Sequence, residues 1–309
     1  MAPPDPSTVR FAGPWHHHDV RANGVRLHVV ECADTPTNQP LVLLMHGFGE
    51  FWWSWRHQIT ALTNAGFRAV AVDLRGYGDS DKPPRGYDGW TLAGDTDGLI
   101  RALGHSDATI VGHADGGLVG WATATLHPRS VRSMAVISSP HPQALKNANM
   151  RESTQRKAFL GGLLRAQIPR TAERDLTRDD GAMAEELMRR RSGPGWPRTD
   201  DFADAAKRNR SAVQIPGVAH CSLEYRRWAF RSQFRPDGYK FLQLMDRRLQ
   251  IPVLAMHGEL DRYILRSTVA GSAKWVDRLD FTEVTGSGHY AHQENPDEVN
   301  ELLIEFAGR

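Results

Sequence analysis

The sequence predicts one α/β domain with a mostly parallel central sheet, helices on both faces and an inserted helical segment. Three observations predict it. Short apolar runs alternate with helical stretches up to "SSPHP" (138–142). The alternation then stops, and the chain turns rich in Arg, Leu, Ala and Glu. It resumes at "IPVLAMHG" (251–258) and continues to the C-terminus.

The elements follow in order. "HHH" (16–18) reads as the entrance to a strand. Three consecutive strand residues cannot all face one side, and nothing nearby has zinc-site spacing, so no metal is expected there. "GVRLHVVE" (24–31) alternates like a half-exposed strand, whereas "LVLLMH" (41–46) is continuously apolar, as a strand covered on both faces would be. Residues 53–65 form a helix closed by Gly66. Strands at 67–73, 108–112 and 131–137 alternate with helices at 91–104 and 117–126. From 143 to about 248 there is no convincing strand, and Pro169, Pro194, Pro197 and Pro216 divide the stretch into short helices. Residues 251–258 and 280–286 are strands, with helices at 264–276 and 296–306. The expected divisions are a core at 1–142, a helical insertion at 143–240 and the rest of the core at 241–309.

Net charge is only +2, so nothing global points to nucleic acid. The charge is uneven, however. Residues 141–250 hold 22 Lys+Arg against 13 Asp+Glu, and the remainder holds 16 against 23. Such a division suits attraction between two parts of one molecule, or a positive field that draws acidic substrates or anionic membrane surfaces. No apolar run reaches the roughly 18 residues that span a bilayer, so stable membrane insertion is not expected. The N-terminus lacks an apolar signal region, and two cysteines suggest no disulfide framework, so the expected location is cytoplasmic.

In an open parallel sheet, ligands bind beyond the carboxyl ends of the strands. Those ends carry "HGFGEFWWSW", "DLRGYGDSDKPP", "HADGG", "HGELDRY" and "GSGHYAH". Three of them supply a sharp strand-to-helix turn, an acid and a histidine, in the chain order of the α/β-hydrolase fold. From about Gly24 onward the sequence resembles the epoxide hydrolase and haloalkane dehalogenase branch of that fold. "HGFGEFWWSWRHQI" resembles the oxyanion loop, "VGHADGG" the nucleophile elbow and "GSGHYAHQENP" the histidine loop, and the helical insertion falls where the family places its cap.

The resemblance implies roles. His289 would be the general base, with His292 as a fallback lining the rim. Asp261 would orient His289, with Glu259 as a competitor. The backbone N–H groups of Phe48 and Asp115 would form the oxyanion hole, although Gly49 stands where the family usually has Pro. His46, Trp52, Trp53, Trp55 and His113 would line the pocket, core packing being an equally good account of at least one of the tryptophans. Asp73 and Arg75 read as structural, in a buried ion pair. Tyr225 resembles one of the two cap tyrosines that donate to an epoxide oxygen. The other has no counterpart, since no tyrosine lies between Tyr87 and Tyr225, and Tyr239 comes late in the chain.

The elbow departs from the pattern. A nucleophile turn needs small residues two before and two after its apex. Gly112 and Gly116 satisfy this around Ala114, whereas an apex at Asp115 would put His113 in a small position. The apex is therefore Ala114, which has no nucleophilic atom. Three accounts remain open. Asp115 acts from the adjacent place, or the protein is a catalytically silent binder, or Ala114 replaces the Ser or Asp of a hydrolase. The expected ligand is a small apolar epoxide or related electrophile, without cofactor. A homodimer is admitted.

Overall fold

The computed structural model describes residues 3–309 and opens with a hairpin, β1 (Trp15–Ala22) and β2 (Val25–Cys32). Its turn is Asn23-Gly24, both at positive φ (46° and 78°), the pair that tight two-residue hairpins favour. β3 (Leu41–Met45), α1 (Arg56–Asn64), β4 (Arg68–Val72), α2 (Gly89–Ala102), β5 (Ala108–His113), α3 (Asp115–Leu126) and β6 (Val131–Ile137) then alternate. Six helices follow: α4 (Pro142–Arg151), α5 (Ser153–Ala166), α6 (Thr171–Arg191), α7 (Asp200–Val213), α8 (Val218–Arg231) and α9 (Pro236–Leu244). No strand interrupts them. β7 (Leu249–Gly258), α10 (Arg266–Ala270), β8 (Val276–Val284), α11 (Ala291–Glu294) and α12 (Pro296–Ala307) complete the chain.

The eight strands form one sheet in the order β1-β2-β4-β3-β5-β6-β7-β8. β2 is antiparallel to both β1 and β4, and the remaining pairs are parallel. Every residue of β3, β4 and β5 is buried, which is why these runs carry no alternation. Each fully buried Leu or Val contributes about 1.5–3 kcal/mol through removal of apolar surface from water. Two expectations are corrected. "HHH" is not merely an entrance but lies within a full edge strand. β2 is buried along most of its length rather than half-exposed, with α1 packed against it.

The parallel register brings the carboxyl ends together. Met45 pairs with Gly112, Gly112 with Val136 and Ile137 with Met256. The loops that begin at His46, Ala114, Ser138 and Glu259 therefore emerge along one edge of the sheet. No helix among the described residues is long and apolar enough to cross a membrane.

Candidate active site

β5 ends at His113 and α3 begins at Asp115, which leaves Ala114 at the apex with φ 46° and ψ −114°. A non-glycine residue held there costs about 1–3 kcal/mol. Close backbone packing maintains the turn. A Cβ on Gly112 would collide with the backbone of Gly116 and Gly117, and one on Gly116 with the carbonyl oxygens of Met45 and His46. The Ala114 carbonyl accepts from Leu118 N–H (3.1 Å) and from the Ser139 hydroxyl (2.7 Å). The backbone N–H groups of Phe48 and Asp115 have no acceptor among the described residues.

Across the cavity, His289 Nδ1 lies 2.8 Å from Asp261 Oδ2. Asp261 Oδ1 accepts from the backbone of Tyr263 (2.7 Å) and Ile264 (3.1 Å). Burial pushes the Asp261 carboxyl up, but the His289 ring and these amides outweigh it, and the net direction is down. Burial drives His289 below its usual 6.5, against the pull of Asp261. The imidazole is thus poised neutral. With Nδ1–H given to the carboxylate, its other nitrogen is free to take a proton. Glu259 is engaged elsewhere, accepting from Gly286 N–H at 2.8 Å.

Beneath this pair lies a network that the sequence did not suggest. Glu50 is buried and accepts from Gly47 N–H (2.8 Å), His113 Nδ1 (2.6 Å) and Gln293 Nε2 (2.9 Å). Burial opposes ionisation of Glu50, yet His113 and then His292 pull its carboxyl down to about 2. The second nitrogen of His113 meets the His289 carbonyl at 3.0 Å. Glu50 therefore positions His113, and His113 in turn holds the backbone that carries the base. The only sequence signal was an acid three residues beyond Gly47.

Asp115 is half-buried and lines two adjoining cavities. The smaller, about 20 Å³, is bounded by Ala114, His289, His113 and Ser138. The larger, about 280 Å³, runs outward between the core and α4, α5, α8 and α9, mostly along apolar side chains. Asp115, Leu118, Phe159, Arg226 and Tyr263 border both. Asp115 Oδ2 and Arg226 Nε are buried atoms without a hydrogen-bond partner among the described residues. Arg226 rests over the Phe48 ring at 3.7 Å, and the Tyr263 ring stands edge-on to His289 at 5.0 Å.

Several expected residues sit elsewhere. His46, Trp52 and Trp53 line neither cavity. His46 accepts from Leu74 N–H (3.1 Å), and Trp52 donates its indole N–H to the Val9 carbonyl (2.8 Å). Trp53 packs on Phe11 and Trp15. These aromatics are drawn into the core by the N-terminal segment, whose packing no local pattern shows. His292 is fully buried against Trp55 and His113 rather than at a rim. Tyr225 borders the larger cavity, but its hydroxyl donates to the Arg75 carbonyl at 2.8 Å. Asp73 and Arg75 do not pair with each other. Asp73 meets His28 Nδ1 (2.7 Å), and Arg75 forks onto Asp95 (2.6 Å for both bonds).

Among the described residues, two clusters have metal-type donors. In one, His16 and His18 of β1 lie beside Glu31 of the paired β2, but Glu31 is already gripped by Arg68 at 2.8 and 3.0 Å. In the other, Glu50, His113 and His292, the carboxylate is saturated by hydrogen bonds. Neither offers a free carboxylate to an ion.

An elbow at the end of a central parallel strand, facing a His–Asp pair from later loops, defines a hydrolase-type α/β site. Comparison with known proteins agrees. The family described as alpha/beta hydrolase fold matches residues 40–296. Epoxide hydrolase A of Mycobacterium tuberculosis is 31% identical over 313 residues, covering 93% of this chain and 95% of that protein. Bifunctional epoxide hydrolase 2 of Rattus norvegicus is 27% identical over 300 residues, covering 92% of this chain but only 53% of the relative, so the chain spans about half its length. A crystal structure of the Bacillus megaterium epoxide hydrolase in complex with an inhibitor superposes with a TM-score of 0.81 at 26% identity, covering 94% of this chain and all of that one. The chain belongs to the alpha/beta hydrolase fold family, in its epoxide hydrolase-like branch.

Proposed function

We propose that the protein hydrolyses a small apolar epoxide or a related electrophile, with Asp115 in place of the absent apex nucleophile and the six-helix insert as a cap. One observation carries this reading: Asp115 Oδ2 is buried without a partner, on the wall shared by the substrate-sized cavity and the His289 cavity. A buried carboxylate oxygen without a hydrogen-bond partner is costly unless it has work to do.

Asp115 attacks a ring carbon, the C–O bond breaks, and an ester and an alkoxide form. Arg226 stabilises the alkoxide until a proton reaches it. The 20 Å³ cavity has room for about one water molecule. His289 removes a proton from that water, Asp261 steadies the resulting imidazolium, and the hydroxide attacks the ester carbonyl. The intermediate collapses by breaking the ester C–O bond, its carboxyl proton passes to the oxygen set free, the His289 imidazolium gives its proton to the alkoxide, and the diol leaves with Asp115 restored as a carboxylate. Tyr225 has no proton-donor role here, because its hydrogen is given to Arg75.

The unmodified protein is expected to open a styrene-oxide-type epoxide, and Asp115→Asn to abolish that reaction. Turnover that survives Asp115→Asn undiminished overturns the assignment. A second reading, a catalytically silent ligand-binding protein, is favoured by the methyl group at Ala114, where the elbow aims its side chain. It requires that the unmodified protein be inert and that Asp115→Asn leave ligand affinity essentially unchanged.

A further inference from the structure

Of the six large apolar side chains exposed among the described residues, five lie in the helical insert or the turns between its helices: Met150, Leu164, Ile168, Phe234 and Tyr239. Single exposed apolar residues are ordinary on any surface, but several of these gather at the mouth of the 280 Å³ cavity. Met150, 59% exposed, lines it directly. Phe234, 76% exposed, rests on Phe230, another lining residue, with ring centroids 5.4 Å apart. Leu164 stands one turn beyond the lining residue Leu160 on α5, and Ile168 follows at the same spacing.

Charge follows the same face. Residues 143–170 hold six Lys+Arg against one acid, and residues 218–240 hold five against two. Residues 171–213, which contain α6 and α7, hold nine of each. The cationic excess of the insert therefore lies on the helices that border the cavity and not on those behind it. Arg151, Arg156, Lys157 and Arg231 are exposed and have no carboxylate partner among the described residues; Arg156 and Arg231 reach only carbonyl and amide oxygens.

We propose that the face formed by α4, α5, the Ser232–Phe234 turn and α9 docks on an anionic lipid surface, with the cavity mouth turned toward the bilayer. Exposed apolar side chains set among unpaired cations fit the boundary between headgroups and acyl chains, and the cations complement lipid phosphates. The attachment is peripheral. It would let an apolar ligand dissolved in the bilayer enter the cavity without crossing water. It stands apart from the proposed chemistry at Asp115, so Asp115→Asn should dock as well as the unmodified protein.

The test is cosedimentation of the full chain with extruded vesicles of phosphatidylcholine alone, or with about one third phosphatidylglycerol. Affinity for the anionic vesicles should be at least tenfold higher and should vanish in about 0.5 M salt, where the Debye length falls to a few ångströms. Met150→Glu with Phe234→Glu should lower it by about tenfold or more, with circular dichroism and thermal midpoint unchanged because both side chains are already in water. Arg151→Glu with Lys157→Glu should do the same. Equal binding to phosphatidylcholine alone, no binding to anionic vesicles at low salt, or binding undiminished by either double substitution would overturn the proposal. The second outcome would leave an acidic protein as the partner for this face.

Discussion

One wall of the elbow cavity carries His289 and Asp261 at 2.8 Å, with buried Glu50 and His113 bracing the backbone behind them. The opposite wall carries Ala114, a methyl group on a strained turn. The first wall retains the whole apparatus of a general base. The second retains the shape of a nucleophile site without its reacting atom. The difference shows that an elbow's geometry and its chemistry are separable, since the glycines around Ala114 hold the turn regardless of what its side chain is.

Completing the poorer wall should have the largest effect. Ala114→Asp places a carboxylate between the two backbone donors and His289, and diol formation should rise by about 10³-fold or more, measured by chromatography of the product. No gain would mean that more than the apex is missing. Damaging the richer wall comes next: His289→Gln should lower turnover of the active form by about 10²–10⁴-fold without changing the fold, as loss of a positioned base does.

The bracing beneath it can be tested by stability. Glu50→Gln removes one member of a buried ion pair and should cost about 3 kcal/mol in urea unfolding. The sign follows from a carboxyl lowered from 4.5 to about 2 by folding. Its contribution is present above 4.5 and is lost as pH falls from 4.5 toward 2, and Glu50→Gln should flatten that loss. A gentler probe is the pH profile. Because His289 must be neutral and burial lowers it, the acidic limb of turnover should fall below pH 6.5. The smallest effect belongs to Tyr225→Phe. It removes the bond to the Arg75 carbonyl, costing about 1 kcal/mol of stability, and should change turnover by less than about threefold. A hundredfold fall in kcat would instead return Tyr225 to the chemistry.

β3, β4 and β5 were legible because burial on both faces writes itself as unbroken apolar runs. β1 was not, because an edge strand such as "HHHDVR" alternates exposed and half-buried polar residues. Its local signal was the Asn23-Gly24 turn. His289 and Asp261 could be read because each sits in a loop directly after a strand. Their bracing could not. Glu50 comes from the loop after β3, His113 from the end of β5 and Gln293 from α11, and only tertiary packing makes them neighbours. Tyr225 shows the same limit, since its acceptor lies 150 residues away in the chain.

The bent backbone at Ala114 has a consequence for descent. Because packed glycines keep the turn, the scaffold and the reacting atom are inherited separately. Alanine and aspartate codons can differ by a single base, so a lineage can fall silent and regain activity without passing through a misfolded ancestor. The strain at Ala114, of no use to a methyl group, keeps that return route open.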